Sequence, residues 1–298
     1  MRLLVLGGTG MLGHKLWQEA SDSLDAWATV RAEALTGPAA AVLDSERVLT
    51  GVSADDPSSV ARAIEQSDAD AVINCIGIVK QSQAAADPVP SIQVNSLFPH
   101  QVAALCRERG KRFVHISTDC VFCGARGSYT EDDLPDATDL YGRSKLLGEA
   151  TGPGSLTVRT SIIGREVESS FGLVEWFLGE VGGRVRGFKE AIFSGFTTQA
   201  LARSLIEVLT EHPDLDGLWH VSAEPIDKNR LLAMLRDAYD VEIEIEPDNS
   251  VAIDRSLDSS RFRGATNWEP PSWQQMIDEM AADSTPYDEI RRSGLAQR

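Results

Sequence analysis

An α/β fold, a parallel sheet wound on both faces by helices with a smaller lobe appended, is predicted by three observations. Short apolar runs alternate with segments whose apolar residues recur three and four apart. The runs are apolar almost throughout, as strands covered on both faces are. After about residue 160 this rhythm breaks and the segments become shorter and more mixed.

The predicted strands of the first half are Arg2–Leu6, Trp27–Val30, Arg47–Gly51, Ala71–Ile76, Arg112–Ser117 and Leu156–Thr160. Leu12, Leu16 and Trp17 form a helical stripe behind the first strand. Val102, Leu105 and Cys106 form another, with Gly110 placed to end that helix. Beyond residue 160, Gly182, Gly183 and Gly187 read as loop, Gln199–Leu209 as helix and Trp219–Val221 as a short strand. Val241–Glu246 alternates apolar and acidic residues, as a half-exposed strand does. Residues 281–298 are polar and are expected to be loosely held. The chain therefore divides into residues 1–160 and a second lobe over 161–298, some segments of which can return to the first.

Composition narrows the function classes. The 298 residues carry 28 Lys plus Arg against 45 Asp plus Glu, a formal charge of −17. So acidic a surface disfavours nucleic acid, which needs a basic footprint, and anionic lipid. No apolar run is long enough to span a membrane, and the first residues are strand-like rather than leader-like, so a cytoplasmic protein is expected. Four cysteines are too few for a disulfide scaffold. Cys120-x-x-Cys123 has no second pair of ligands, so no metal site is expected.

The first strand runs into Gly7-Gly8-Thr9-Gly10-Met11-Leu12-Gly13, and a helical stripe follows at once. Glycines let the chain turn tightly and bring backbone amides and a helix N-terminus to a pyrophosphate. After the first strand of an alternating chain, this spacing predicts a dinucleotide-binding (Rossmann) domain. The second strand ends Thr29-Val30-Arg31 without the acidic residue that grips an adenosine ribose. Arg31 therefore points to NADP(H) over NAD(H), although Glu33 lies close.

Tyr141-Gly142-Arg143-Ser144-Lys145 puts a phenol and an amine four residues apart, on one face of a helix. An ammonium beside the phenol is expected to lower its proton affinity and make it a usable acid for a carbonyl under reduction.

With Gly-x-x-Gly-x-x-Gly on strand one, Ser117-Thr118-Asp119 closing strand five and Tyr141-x-x-x-Lys145, the chain resembles the extended short-chain dehydrogenase/reductases. It is most similar to the dTDP-4-dehydrorhamnose reductase family. The carrying segments are His115–Phe122, Tyr129–Asp132, Leu140–Glu149, Val158–Ser161, Gly217–Val221 and Ser256–Asp258.

The resemblance implies an oxidoreductase that uses NADP(H) to reduce the 4-keto group of a nucleotide-activated 6-deoxy sugar, for deoxysugar or polysaccharide precursors. Thr118 matches the hydroxyl on the substrate carbonyl, Tyr141 the proton donor, and Lys145 the lysine that also holds the nicotinamide ribose. Gly7, Gly10, Met11, Leu12 and Gly13 match the pyrophosphate turn. Ser53-Ala54 stands where an acid–apolar pair usually faces adenine, with Asp56 near enough to compensate. Ile76, Gly77 and Ile78 match the cofactor-lining loop. Asn95 matches an asparagine heading the next helix, where a plain helix cap is the alternative. Asp119, Ile162 and Arg255 match substrate positions, with Glu131 nearby. The substrate's anionic nucleotide needs cations, for which Arg159, Arg184, Arg186, Lys189, Arg255, Arg261 and Arg263 are candidates. The partner is thus a small nucleotide sugar, and a homodimer is compatible with the family.

Ile162 replaces the family's tryptophan, and Ser194-Gly195-Phe196-Thr197-Thr198 replaces its Gly-x-Pro-Thr loop, so an altered sugar pocket is expected. Two other activities remain open. Cys120 stands where an epimerase-reductase places its carbon acid's base, and a nucleotide-sugar epimerase shares the scaffold. A nucleotide-binding regulatory subunit also resembles this family.

Overall fold

The computed structural model describes residues 1–295. Seven strands form one parallel sheet: β1 (Arg2–Leu6), β2 (Asp25–Thr29), β3 (Val48–Leu49), β4 (Ala71–Asn74), β5 (Arg112–Thr118), β6 (Ser155–Thr160) and, after the short β7 (Ile162–Ile163), β8 (Arg184–Phe193) and β9 (Phe196–Thr197), the strand β10 (Gly217–His220). Their order is β10-β6-β5-β4-β1-β2-β3, so the winding reverses between β1 and β4. In such a sheet the crevice at the carboxyl ends beside that switch point is where a ligand sits. Leu3–Leu6 and all of β4 are buried, because helices cover both faces.

The second lobe is built on β8, with β11 (Ile226–Asp227) antiparallel on one side and β12 (Glu244–Asp254) parallel on the other. β7 and β9 pair separately. One hydrophobic core runs from Leu3 and Val5 of the sheet to Val185, Leu231 and Trp273 of this lobe. Distal segments join the first half of the chain: β10 pairs with β6, and the helix Thr198–Glu211 packs against the helix Met11–Ser21.

Three expectations are corrected. Gly187 is not in a loop; it lies in β8 opposite Pro247, because the β8–β12 ladder carries through it. The half-exposed strand begins at Glu244 and continues to Asp254, eight residues past its predicted end, since β8 offers a partner for that length. The polar end of the chain is packed where it is described. Tyr287–Leu295 is a helix, and Tyr287 and Ile290, three apart, enter the core. Residues 296–298 of that predicted segment lie outside the described residues. Among the described residues no helix is long and apolar enough to cross a membrane.

Candidate functional site

The glycine turn leaves β1 and enters the helix Met11–Ser21. A methyl group on Gly13 would come within 2.0 Å of the Gly7 carbonyl oxygen, so only glycine lets the helix start so close to the strand end. The Gly7 amide donates to Thr29 Oγ1 (3.2 Å) and the Gly8 amide to the Thr29 carbonyl (2.8 Å), which ties the turn to β2. No side chain caps this helix, and its first turn holds no acidic residue. An uncapped N-terminus free of carboxylates fits a pyrophosphate. Arg31 is exposed just beyond β2.

Ser53 and Ala54 follow β3, and Ala54 is buried. Asp56 is not free to face an adenine. It caps the helix Pro57–Ser67, accepting from the Ser58 amide at 3.0 Å. After β4, the Ile76 amide donates to Asn74 Oδ1 (3.0 Å) and the Ile78 amide to Asn95 Oδ1 (2.9 Å). Asn95 Nδ2 returns bonds to the Ile78 carbonyl (3.1 Å) and Ser144 Oγ (3.2 Å). Asn95 is therefore no helix cap. Only 1% exposed, it spends its amide holding the Gly77 loop against the Tyr141 helix. It lies in a π-helical turn, Ile92–Leu97, a form that recurs at functional sites.

Tyr141 and Lys145 sit on the helix Leu140–Leu147, whose N-cap Asp139 accepts from the Gly142 amide (2.8 Å). A Cβ on Gly142 would meet the Cys120 carbonyl at 2.2 Å, so this glycine lets the helix start against the turn after β5. That contact sets the Tyr141 phenol beside Thr118. Thr118 Oγ1 also donates to Asp119 Oδ1 (3.1 Å) and accepts from the Cys120 amide (3.1 Å).

Lys145 is not among the groups that act on the phenol, contrary to expectation. Its Nζ donates to the Ile116 carbonyl (2.7 Å) and lies 3.3 Å from His115 Nε2. Burial, with Cys120 and Asp119 nearby, pushes the Tyr141 phenol above its ordinary value. Burial also brings the Lys145 ammonium down to about 8, against the pull of Glu149 and Cys75. Tyr141 is thus a neutral phenol at physiological pH, the form that can give up a proton.

On the substrate side, Asp119 is 8% exposed, and burial raises its carboxyl. Two cations face it, Arg255 and Lys228. Arg255 Nε donates to the Phe122 carbonyl (2.8 Å). Lys228, at the start of the helix Lys228–Ala238, lies 4.2 Å from the centre of the Phe193 ring, and burial lowers it to about 8 against the attraction of Asp119. Lys228 has no sequence signal: 109 positions separate it from Asp119, and only the fold of the second lobe joins them. Ile162 is half-buried in β7.

The other candidate cations are mostly spent elsewhere. Arg159 is buried and paired with Glu149 through two 2.7 Å bonds, so it is no anion clamp. Arg184 pairs with Glu244 and Glu246, and Arg186 with Asp248, all across β8 and β12. Arg261 stacks 3.9 Å from the Trp219 ring centre. Glu131 accepts from the His220 amide (2.9 Å) rather than facing a substrate. Among the described residues no cluster of His, Cys, Asp or Glu could hold a metal.

Known proteins resemble this chain. A reductase of Haloferax volcanii, named a probable low-salt glycan biosynthesis reductase Agl14, is 30% identical over 57% of this chain and 59% of its own. The methionine adenosyltransferase 2 subunit beta of Danio rerio is 27% identical over 80% of this chain and 74% of its own. A dTDP-4-dehydrorhamnose reductase of Bacillus anthracis, solved with NADP, superposes with a TM-score of 0.77 at 20% identity, over 94% of this chain and 96% of that one. The chain spans about half to three fifths of the length of the curated reductases it matches. The family described as the RmlD substrate binding domain matches residues 1–285, and the chain belongs to that family.

Proposed function

We propose that the protein reduces the 4-keto group of a nucleotide-activated 6-deoxy sugar at the expense of NADPH, in the making of deoxysugar or polysaccharide precursors. The observation that carries this reading is the placing of the Thr118 hydroxyl beside the half-buried, neutral phenol of Tyr141, one helical turn from Lys145. The names of the Haloferax volcanii and Bacillus anthracis proteins support it.

The Gly7–Gly13 turn and the uncapped helix behind it would hold the pyrophosphate, with Ile76, Gly77 and Ile78 lining the nicotinamide side. A bound nicotinamide would supply the hydride. Thr118 Oγ1 would turn from Asp119 to donate to the substrate carbonyl, steadying the oxygen as charge builds on it. Tyr141 Oη, its proton retained by burial, would deliver that proton to the same oxygen. Lys145 Nζ, released from Ile116, would reach the ribose and the phenol. Arg255 and Lys228 would draw the anionic substrate towards Asp119.

Cys120 does not support the epimerase-reductase alternative. Burial pushes its thiol up to about 12, and the buried imidazoles are committed elsewhere. His115 lies against Asn74 and Lys145, and His220 against the Tyr129 carbonyl and Arg159. The likeness to methionine adenosyltransferase 2 subunit beta keeps a regulatory role as the second reading. Oxidation of NADPH by purified protein with a 4-keto sugar nucleotide separates the two.

Two substitutions test the ligand ends of the site. Arg31→Ala is expected to weaken NADPH binding about 10- to 100-fold while leaving NADH binding almost unchanged, because a charge-assisted bond to the 2′-phosphate is lost. Equal loss for both nucleotides, read by titration calorimetry, contradicts a role in phosphate recognition. Lys228→Met is expected to raise KM for the nucleotide sugar about 10- to 100-fold with kcat changed far less. An unaltered KM would remove Lys228 from the substrate pocket.

A further inference from the structure

The imidazole of His115 is fully buried on β5, between Asn74 of β4 and Lys145 of the Tyr141 helix. Asn74 Oδ1 takes the Ile76 amide proton at 3.0 Å, which fixes the orientation of the carboxamide. Its Nδ2 is then the atom 3.2 Å from His115 Nδ1, and an amide nitrogen can only donate. His115 Nδ1 must therefore accept. A neutral imidazole whose Nδ1 accepts carries its proton on Nε2, the atom 3.3 Å from Lys145 Nζ.

We propose that Asn74 and His115 form a buried positioning pair that locks the imidazole in the Nε2–H tautomer and thereby sets the charge and aim of the Lys145 amine. A ring N–H facing Nζ can bond to the lone pair of an amine and repels an ammonium. The ammonium, when present, is turned to the Ile116 carbonyl at 2.7 Å. The same carboxamide that holds the Ile76 loop thus also governs the lysine, so the cofactor-lining loop and the proton inventory of the site share one residue.

The surrounding charges leave this arrangement standing. Lys145 is faced by Glu149 from beyond its own helix, by Cys75 from the loop after β4 and by His115 from β5. His115 is faced by Lys145 and, from the helix Phe98–Glu108, by His100. Burial does most to hold the imidazole neutral, well below its ordinary range, and its two charged neighbours, which are cations or can become so, add to it. A neutral imidazole has two tautomers, and the Asn74 donor selects one of them.

The inference rests on reading Lys145 as the cofactor-side lysine, but its test reads proton positions in the cofactor-free protein and does not depend on turnover. Long-range ¹H–¹⁵N NMR of histidine-labelled protein should show His115 with an unprotonated Nδ1 and a protonated Nε2; a protonated Nδ1 would overturn the proposal outright. In Asn74→Leu, the freed ring is expected to turn an acceptor to Lys145, and the lysine midpoint, followed by its ¹³Cε shift, should rise from about 8 by about one unit. Asn74→Ala also removes the donor to Nδ1 and adds no charge of its own, so it serves if Asn74→Leu does not fold, with the same direction expected. A folded Asn74 variant whose lysine midpoint stays unchanged means that the pair does not govern the amine. A correct tautomer in a protein that never oxidises NADPH would leave the proposal intact and sink the reductase reading instead.

Discussion

Tyr141→Phe is expected to lower turnover about 10²- to 10⁴-fold, the usual worth of a positioned acid, while NADPH affinity changes little. The substitution removes one oxygen. The ring stays in its half-buried place, and Gly142 keeps the helix against the Cys120 carbonyl. Thr118 retains its own bonds to Asp119 and the Cys120 amide, so the pocket should hold its shape. The effect should therefore fall on kcat, the signature of an interaction made in the transition state. Steady-state kinetics and cofactor titration, run together, check it. A variant with wild-type kcat would take the proton donor away from Tyr141.

The largest expected loss of stability is at Arg159, not on the Tyr141 helix. Its guanidinium clasps Glu149 through Nε and Nη2, both at 2.7 Å, and Nη1 donates to His220 Nε2 at 3.3 Å. The Ser117 hydroxyl completes the carboxylate's partners at 2.8 Å. Both side chains are nearly inaccessible, 3% and 8% exposed. Arg159→Leu leaves a carboxylate in a dry site with one hydroxyl for company, which should cost about 3–5 kcal/mol. Removing both charges, in Glu149→Leu with Arg159→Leu, should recover much of that loss, because no orphaned charge remains. Urea denaturation of the three proteins measures it. A single variant within about 0.5 kcal/mol of wild type would mean that the pair is solvated.

Features that depend on neighbours in the chain were legible in the sequence. The six strands of the first half, the glycine turn and the Tyr141–Lys145 spacing each rest on a few consecutive residues, and the structure places all of them as read, to within a few residues at strand ends. Features that depend on distant partners were not. Arg159 reads as one cation among seven, and only the pairing of β6 with β5 and the position of Glu149 show that it is internal. Lys228 meets Asp119 through the second lobe, and His115 meets Asn74 across 41 positions. Lys145 is the instructive case. Its spacing from Tyr141 gives the shared helix face, yet the carbonyl of Ile116 and the ring of His115 decide where its amine points. Tyr287 and Ile290 teach the reverse lesson: two apolar residues three apart were enough to seat a helix in a polar terminus.

The central claim is that Thr118, Tyr141 and Lys145 serve the reduction of a sugar carbonyl. Following nicotinamide absorbance while purified protein is mixed with NADPH and a panel of 4-keto-6-deoxy sugar nucleotides tests this most directly. Stoichiometric oxidation of NADPH with at least one nucleotide sugar is expected, with formation of the 4-hydroxy product seen by NMR. Tight NADPH binding with no oxidation across the whole panel would contradict it.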